Sequence, residues 1–238
     1  MGRIKRYRTA LSRHHRSKGH GIHSPFAFNF VRFVLREKLP YYCYEDMEQL
    51  RQAVIESLRD VKRHPRVVSV KGLKMLFRIT NFFNPTSIFQ VGSSYGLTAA
   101  SMMNVSSSSR LWLYDPELDN YPVTAGVLMP YIDDVQCYNQ LDVAMHDYLN
   151  SLPGNIPFVL VNSIPLPQDL EPLQSMLSDM IDTGCVIVMR NLHRSDVMKQ
   201  LWLHLKSEIK WGQTFTNEKT AIVVAQPKLN LEHFFLWF

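Results

Sequence analysis

Three features of the chain predict an α/β protein. Five short apolar runs alternate with helical patterns, two closing strand-like runs leave no room for a helix between them, and the first third is helical. Together they specify a doubly wound, mostly parallel seven-stranded sheet with a C-terminal antiparallel hairpin, preceded by N-terminal helices. The five runs are "SIFQVG", "RLWLYD", "VQCYN", "PFVLVN" and "CVIVMRN", and the closing pair lies in "GQTFTNEKTAIVVAQ".

The helical part begins at Ser24-Pro25, where serine caps and proline suits the first turn. "FAFNFVRFVLREK" follows with apolar residues at helical spacing. A second helix is predicted in "YEDMEQLRQAVIESLRDV" and a third in "SVKGLKMLFRITNFF", ended by Asn84-Pro85. Within the sheet region, "LEPLQSMLSDMIDTG" and "SDVMKQLWLHLKSEI" read as covering helices, and Met102 and Met103 as core residues of another. Asn217-Glu218-Lys219 joins the last two strands. The "LEHFFLWF" tail reads as a strand or short helix over apolar surface; exposed instead, it would make a homodimer contact. The expected organisation is a basic arm over 1–23, a helical segment over 24–85 packed on the core, and the core over 86–238.

At 238 residues with 46% hydrophobic and 20% charged residues, the composition is that of a globular domain. No apolar run approaches the roughly 18 residues of a membrane span. Three scattered cysteines, Cys43, Cys137 and Cys185, have no metal or redox spacing. They read as buried reduced thiols in a cytoplasmic protein. The net charge of +5 is uneven: nine of the 26 Lys and Arg lie in residues 1–36, which hold no acid. The remaining 17 face 21 acidic residues, a net of −4. The arm therefore offers a contact for RNA or another polyanion, with a solvated or self-docked tail the simpler expectation.

The most informative stretch is "IFQVGSSYGLT", residues 88–98, an apolar strand running through two glycines into a helix. In a doubly wound sheet ligands bind beyond the carboxyl ends of the strands, where strand order reverses. Gly92 and Gly96 would let backbone approach a nucleotide-like ligand, and the next helix offers free N–H groups. A tight corner holding nothing reads the same way. The following strand ends in Asp115, close to the roughly 20-residue spacing at which a carboxylate meets a ribose.

These residues, with the closing hairpin, resemble the class I S-adenosylmethionine-dependent methyltransferases. The closer similarity is to a Bacteroides-type branch, carried along nearly the whole chain by "HGIHSPF", "YYCYEDMEQLR", "KGLKMLFRITNFFNP" and "LEHFFLWF". The resemblance implies a Rossmann-like methyltransferase core and a cofactor pocket for S-adenosylmethionine around Gln90, Gly92, Ser93, Ser94 and Gly96. It implies Asp115 on the ribose, and Asn162-Ser163 and Arg190-Asn191 near the reacting methyl. The chain departs from the pattern at Gln90, where an acid is common, at Asn162-Ser163 in place of Asp-Gly, and at Arg190-Asn191 in place of Asp-Asp. "VKRHPRVV" runs straight through where the family carries a glycine-rich insert.

Those departures predict that no metal-dependent O-methylation occurs, since Mg²⁺ needs hard anionic oxygens. A histidine is then the expected general base, with His193, His20 and His23 the candidates. Two functions remain open. One is methylation of an unknown small-molecule acceptor without a metal; the other is a catalytically degenerate protein of this fold that binds a nucleoside-type ligand or a protein partner. Methylation of RNA is a third reading, motivated by the arm alone.

Overall fold

The computed structural model describes residues 13, 14, 16–60, 66–117, 122–152 and 154–238. The parallel strands are β1 (Ser87–Val91), β2 (Arg110–Tyr114), β3 (Val135–Tyr138), β4 (Phe158–Val161) and β5 (Cys185–Met189). The closing strands are β6 (Gln213–Thr216), β7 (Ala221–Ala225) and β8 (Glu232–Phe235). They form one sheet in the order β3-β2-β1-β4-β5-β7-β6-β8. β7 lies antiparallel between β5 and β6, as a tight hairpin requires. The eighth strand comes from the tail, which pairs parallel to β6. Phe234 and Leu236 are buried there and Trp237 is exposed.

Side chains of alternate residues in each strand enter opposite cores. Ile88, Leu111, Leu113, Leu160 and Val188 join one cluster, whereas Phe89, Trp112, Val159 and Ile187 join the other. The first face is covered by the N-terminal helices α1 (Pro25–Phe30, continuing as a π turn over Val31–Leu35) and α3 (Val70–Phe83), and by α4 (Leu97–Met103). Across the other face lie α6 (Leu141–Asn150), α7 (Leu170–Thr183) and α8 (Asp196–Glu208). Helices α2 (Tyr44–Ser57) and α5 (Pro122–Leu128) pack against α3 and α4 in a third cluster. Helices from residues 24–85 thus share one of the two layers over the sheet with α4.

Local chemistry sets the helix ends. Ser24 Oγ accepts the Ala27 N–H at 3.2 Å and Ser69 Oγ accepts the Gly72 N–H at 3.1 Å, both N-caps. Asn84 ends α3 in the left-handed conformation at φ 43°. The wide turn closing α1 leaves carbonyls that Arg78, buried in α3, collects: Nε donates to Val34 O at 2.7 Å and Nη2 to Leu35 O at 3.3 Å. Its Nη1 donates to Tyr44 Oη at 3.1 Å. A buried guanidinium is tolerable there because the carboxyl end of a helix carries partial negative charge.

Two expectations change. Cys43 and Cys185 are buried, but Cys137 is exposed, because β3 is the edge strand and only Val135 of it is buried. The second helix stops at Ser57 rather than running into "RDV". Most of the basic arm, and most of "VKRHPRVV", lie outside the described residues. The described start of the chain is docked on the tail. The Arg13 guanidinium lies 3.5 Å from the Phe235 ring centre, and Ser17 Oγ accepts the Trp237 N–H at 2.6 Å.

Candidate functional site

β1 lies between β2 and β4, so the carboxyl ends of these strands surround the point where strand order reverses. The chain leaves β1 through Gly92 at φ 82°, then passes Ser94, Tyr95 and Gly96 at φ 49°, 58° and 76°. Two non-glycine residues in the left-handed region cost on the order of 1–3 kcal/mol each. Three neighbours hold the loop in that shape. Gln90, fully buried, donates from Nε2 to Gly92 O at 2.9 Å and Ser93 O at 3.3 Å. Asn162, also buried, donates from Nδ2 to Gly92 O and to Thr98 Oγ1, both at 2.9 Å. Asp115 Oδ2 accepts the Ser93 N–H at 2.8 Å.

Both glycines are required by the chain's own packing. A Cβ on Gly92 would lie 2.5 Å from Ser163 Oγ, and one on Gly96 2.9 Å from Val127 Cγ1 in α5. Neither therefore needs a ligand to explain it.

Beside this corner is a hollow of about 270 Å³, lined among others by Ser93, Ser94, Asp115, Glu117, Ser163 and Pro165. Asp115 faces it from the tip of β2. Its Oδ2 holds the Ser93 N–H and its Oδ1 the Glu117 N–H at 3.1 Å, and each oxygen keeps a second lone pair for a hydroxyl donor. Ser93, Ser94 and Asp115 are thus brought together at one cavity. Gln90 and Asn162 are placed beneath the loop, where they shape it, and Gly92 and Gly96 are turned to neighbouring side chains.

Ser94 also borders a second cleft of about 400 Å³. Its walls come from the chain before α3, from the exit of β5 and from the β6–β7 turn. They carry Arg66, Lys71, Arg190, His193, Arg194 and Lys219. Arg190 Nη1 donates to Asn162 Oδ1 at 2.7 Å, and Asn191, at φ 59°, donates from Nδ2 to Asn162 O at 3.0 Å. Burial, with Arg194 nearby, pushes the Arg190 guanidinium down to about 10, leaving it cationic at neutral pH. A larger groove of about 940 Å³ runs away from the strand ends between the N-terminal segment and the tail; it too contains Lys71 and Lys219.

Of the three histidines, only His193 reaches this region, exposed at the cleft wall. His23 is at the opposite end of the sheet. β6 runs parallel to β5, so Gln213 at its start marks the amino edge, and Gln213 Nε2 donates to Ser24 Oγ at 2.7 Å. His23 lines a cavity there with Gln213 and Lys228, and His20, on the preceding turn, lines neither the hollow nor the cleft. The basic cleft escaped sequence reasoning, because Arg66, Lys71, Arg194 and Lys219 come from three separate segments. Among the described residues, no cluster of three His, Cys, Asp or Glu side chains is placed to hold a metal. None of the described helices is long and apolar enough to cross a membrane.

No protein-family model and no curated protein sequence matches the chain. Solved structures do. An O-methyltransferase from Bacillus cereus in complex with SAH is 13% identical with a TM-score of 0.57, over 82% of this chain and 96% of that one. TomG, an O-methyltransferase of tomaymycin synthesis from Streptomyces achromogenes in complex with SAM, is 14% identical with a TM-score of 0.54, over 75% and 90%. The SAH-bound methyltransferase PaMTH1 of Podospora anserina is 11% identical with a TM-score of 0.54, over 79% and 98%. The chain therefore has the Rossmann-like fold of these methyltransferases.

Proposed function

We propose that the protein is an S-adenosylmethionine-dependent methyltransferase that acts on a small molecule without a metal. The observation that carries this reading is the placement of Asp115. Its carboxylate faces a hollow at the strand-order switch, opposite Ser93 and Ser94, where a ribose would present two hydroxyl donors. Similar folds hold SAM or SAH in their own crystals.

The donor chemistry fits an adenosyl group in part. Asp115 retains lone pairs for the ribose, and the small side chains of Ser93, Ser94 and Ser163 leave room beside it. The position of Gln90 supplies an amide and no carboxylate, and its Nε2 is spent on the loop carbonyls. When bound, S-adenosylmethionine supplies an electrophilic methyl group on a sulfonium. Asp115 fixes one end of the ligand, and Ser94, shared by hollow and cleft, marks the passage through which the acceptor is reached. Positioning of this kind is worth several kcal/mol in a displacement. In this reading His193, which lines the cleft, takes the acceptor's proton on a ring nitrogen. A metal has poor ligands here: Asn162 Oδ1 is held by Arg190, and the neighbouring side chains are an amide and a guanidinium.

Calorimetric titration of the protein with S-adenosylmethionine and S-adenosylhomocysteine tests the reading. Micromolar binding is expected, weakened at least about tenfold in Asp115→Ala through the lost charge-assisted bonds. Absence of heat at millimolar ligand would overturn it.

A further inference from the structure

The basic cleft poses an electrostatic question. Arg190 and Arg194 line it from the exit of β5, Arg66 and Lys71 from the start of α3 and the chain before it, and Lys219 from the β6–β7 turn; Phe238, the last residue of the sequence, also lines it, and no Asp or Glu does. Among the described residues none of these five cations makes an ion pair; the arginines and lysines that do are Arg13, Lys74, Arg110, Lys199 and Lys210. The three guanidinium groups act on one another. Burial chiefly, then Arg194, lowers the affinity of Arg190 for its proton; burial chiefly, then Arg66, does the same at Arg194. The wall opposite adds positive potential of its own. Ser69, Lys71 and Gly72, in the first turn of the 14-residue helix α3, line the same cleft. Arg190 Nη2 lies 3.7 Å from where a Gly72 Cβ would be, so a guanidinium packs against a helix amino end. Two positive features that face each other repel unless an anion lies between them. The one acceptor on the Arg190 side chain among the described residues is neutral, Asn162 Oδ1.

We propose that this cleft binds a phosphate group, and that the methyl acceptor is a phosphorylated small molecule anchored through it. A phosphate dianion matches a cluster of this charge better than a carboxylate, and its oxygens accept the bidentate donors of arginine. The cleft meets the cofactor hollow at Ser94, so an anchored acceptor would extend towards the strand ends past His193. The acceptor role rests on the methyltransferase reading; the anion site does not.

Titration of the full chain with inorganic phosphate at constant ionic strength, with acetate as monoanion control, tests the site. Phosphate is expected to bind at least about tenfold more tightly than acetate, and exposed Arg194→Gln to weaken it by about tenfold. Arg110→Gln, which removes an arginine already paired with Asp134 beside edge strand β3, should leave it unchanged. Phosphate binding equal to that of acetate, or unaffected by both Arg194→Gln and Lys219→Gln, overturns the proposal. S-adenosylhomocysteine is titrated separately on the same variants. Absence of that binding in the parent, with phosphate still bound, removes the methyltransferase reading and leaves the anion site; the converse removes only the phosphorylated acceptor.

Discussion

Gly92 and Ser163 are in contact across the junction of β1 and β4: a Cβ on Gly92 would fall 2.5 Å from Ser163 Oγ and 3.2 Å from its carbonyl oxygen. Gly92→Ala therefore suffers twice, from the left-handed φ of 82° and from the hydroxyl. A loss of about 2–4 kcal/mol in denaturant unfolding is expected. Ser163→Ala removes the nearer clash but not the dihedral strain. The double variant should recover about 0.5–2 kcal/mol relative to the sum of the singles. Strict additivity would show that the two residues do not press on each other.

Asn162→Asp sets two effects against each other. The new carboxylate gains Arg190, whose Nη1 already lies 2.7 Å from Oδ1. It loses the Nδ2 donor to Gly92 O, and it brings a negative oxygen to within about that 2.9 Å of a carbonyl. Thr98 can turn its hydroxyl to donate, but Gly92 cannot. The repulsion and lost bond should win, with a net loss of about 1–3 kcal/mol in chemical denaturation. A gain in stability would mean that the ion pair outweighs the loop bond.

The sequence is legible where local pattern and tertiary role agree. The fully buried strands β4, β5 and β7 read as unbroken apolar runs because both faces are covered. Ser24, Ser69 and Asn84 announce helix ends because capping is a local reaction. β8 was ambiguous because its four residues carry no helix- or strand-specific period; it is fixed by pairing with β6. The glycine corner could not be resolved from sequence, since close approach by Ser163 or Val127 and close approach by a ligand ask for the same residue. His23 lies away from the strand exits for a topological reason: the register that seats the neighbouring Ser24 beside Gln213 puts it at the amino edge of the sheet. The cationic cleft has no signature along the chain at all. It exists only once α3, the exit of β5 and the β6–β7 turn converge.

Alkaline titration of the ten tyrosines should occur in separate waves. Burial, then the hydrogen bond to Asp147 Oδ2 at 2.9 Å, pushes Tyr138 up to about 12. Burial raises Tyr148 as well, and burial followed by Asp169 raises Tyr114. An acid whose folded pKa lies above its unfolded value contributes stability that is intact below the unfolded pKa of about 10 and is lost as pH climbs through the folded one. Phenolate absorbance should therefore show Tyr138 ionising only at about pH 12, and Tyr114 and Tyr148 later than free tyrosine or with unfolding. Asp147→Asn should lower the pH at which Tyr138 ionises, without removing the part due to burial. A single wave near pH 10 would contradict the buried hydrogen bonds.

Arg190→Gln should separate stability from binding. The substitution forfeits the bond to Asn162 Oδ1, costing about 1.5–3 kcal/mol, and removes a desolvated cation repelled by Arg194. These terms oppose, so neutral-pH stability should stay within about 1 kcal/mol of the parent. Phosphate affinity, by contrast, should fall at least about tenfold. The pH dependence has a definite sign. Arg190 holds its proton less tightly folded than unfolded, so the folded state binds fewer protons between about pH 10 and its ordinary range near 12.5. The parent should therefore gain stability relative to Arg190→Gln as pH rises through about 10, because the charge penalty disappears. Saturating phosphate should suppress that rise by pairing the guanidinium. A pH-independent difference between the two proteins, unchanged by phosphate, would show that Arg190 is neither desolvated nor the anchor of an anion.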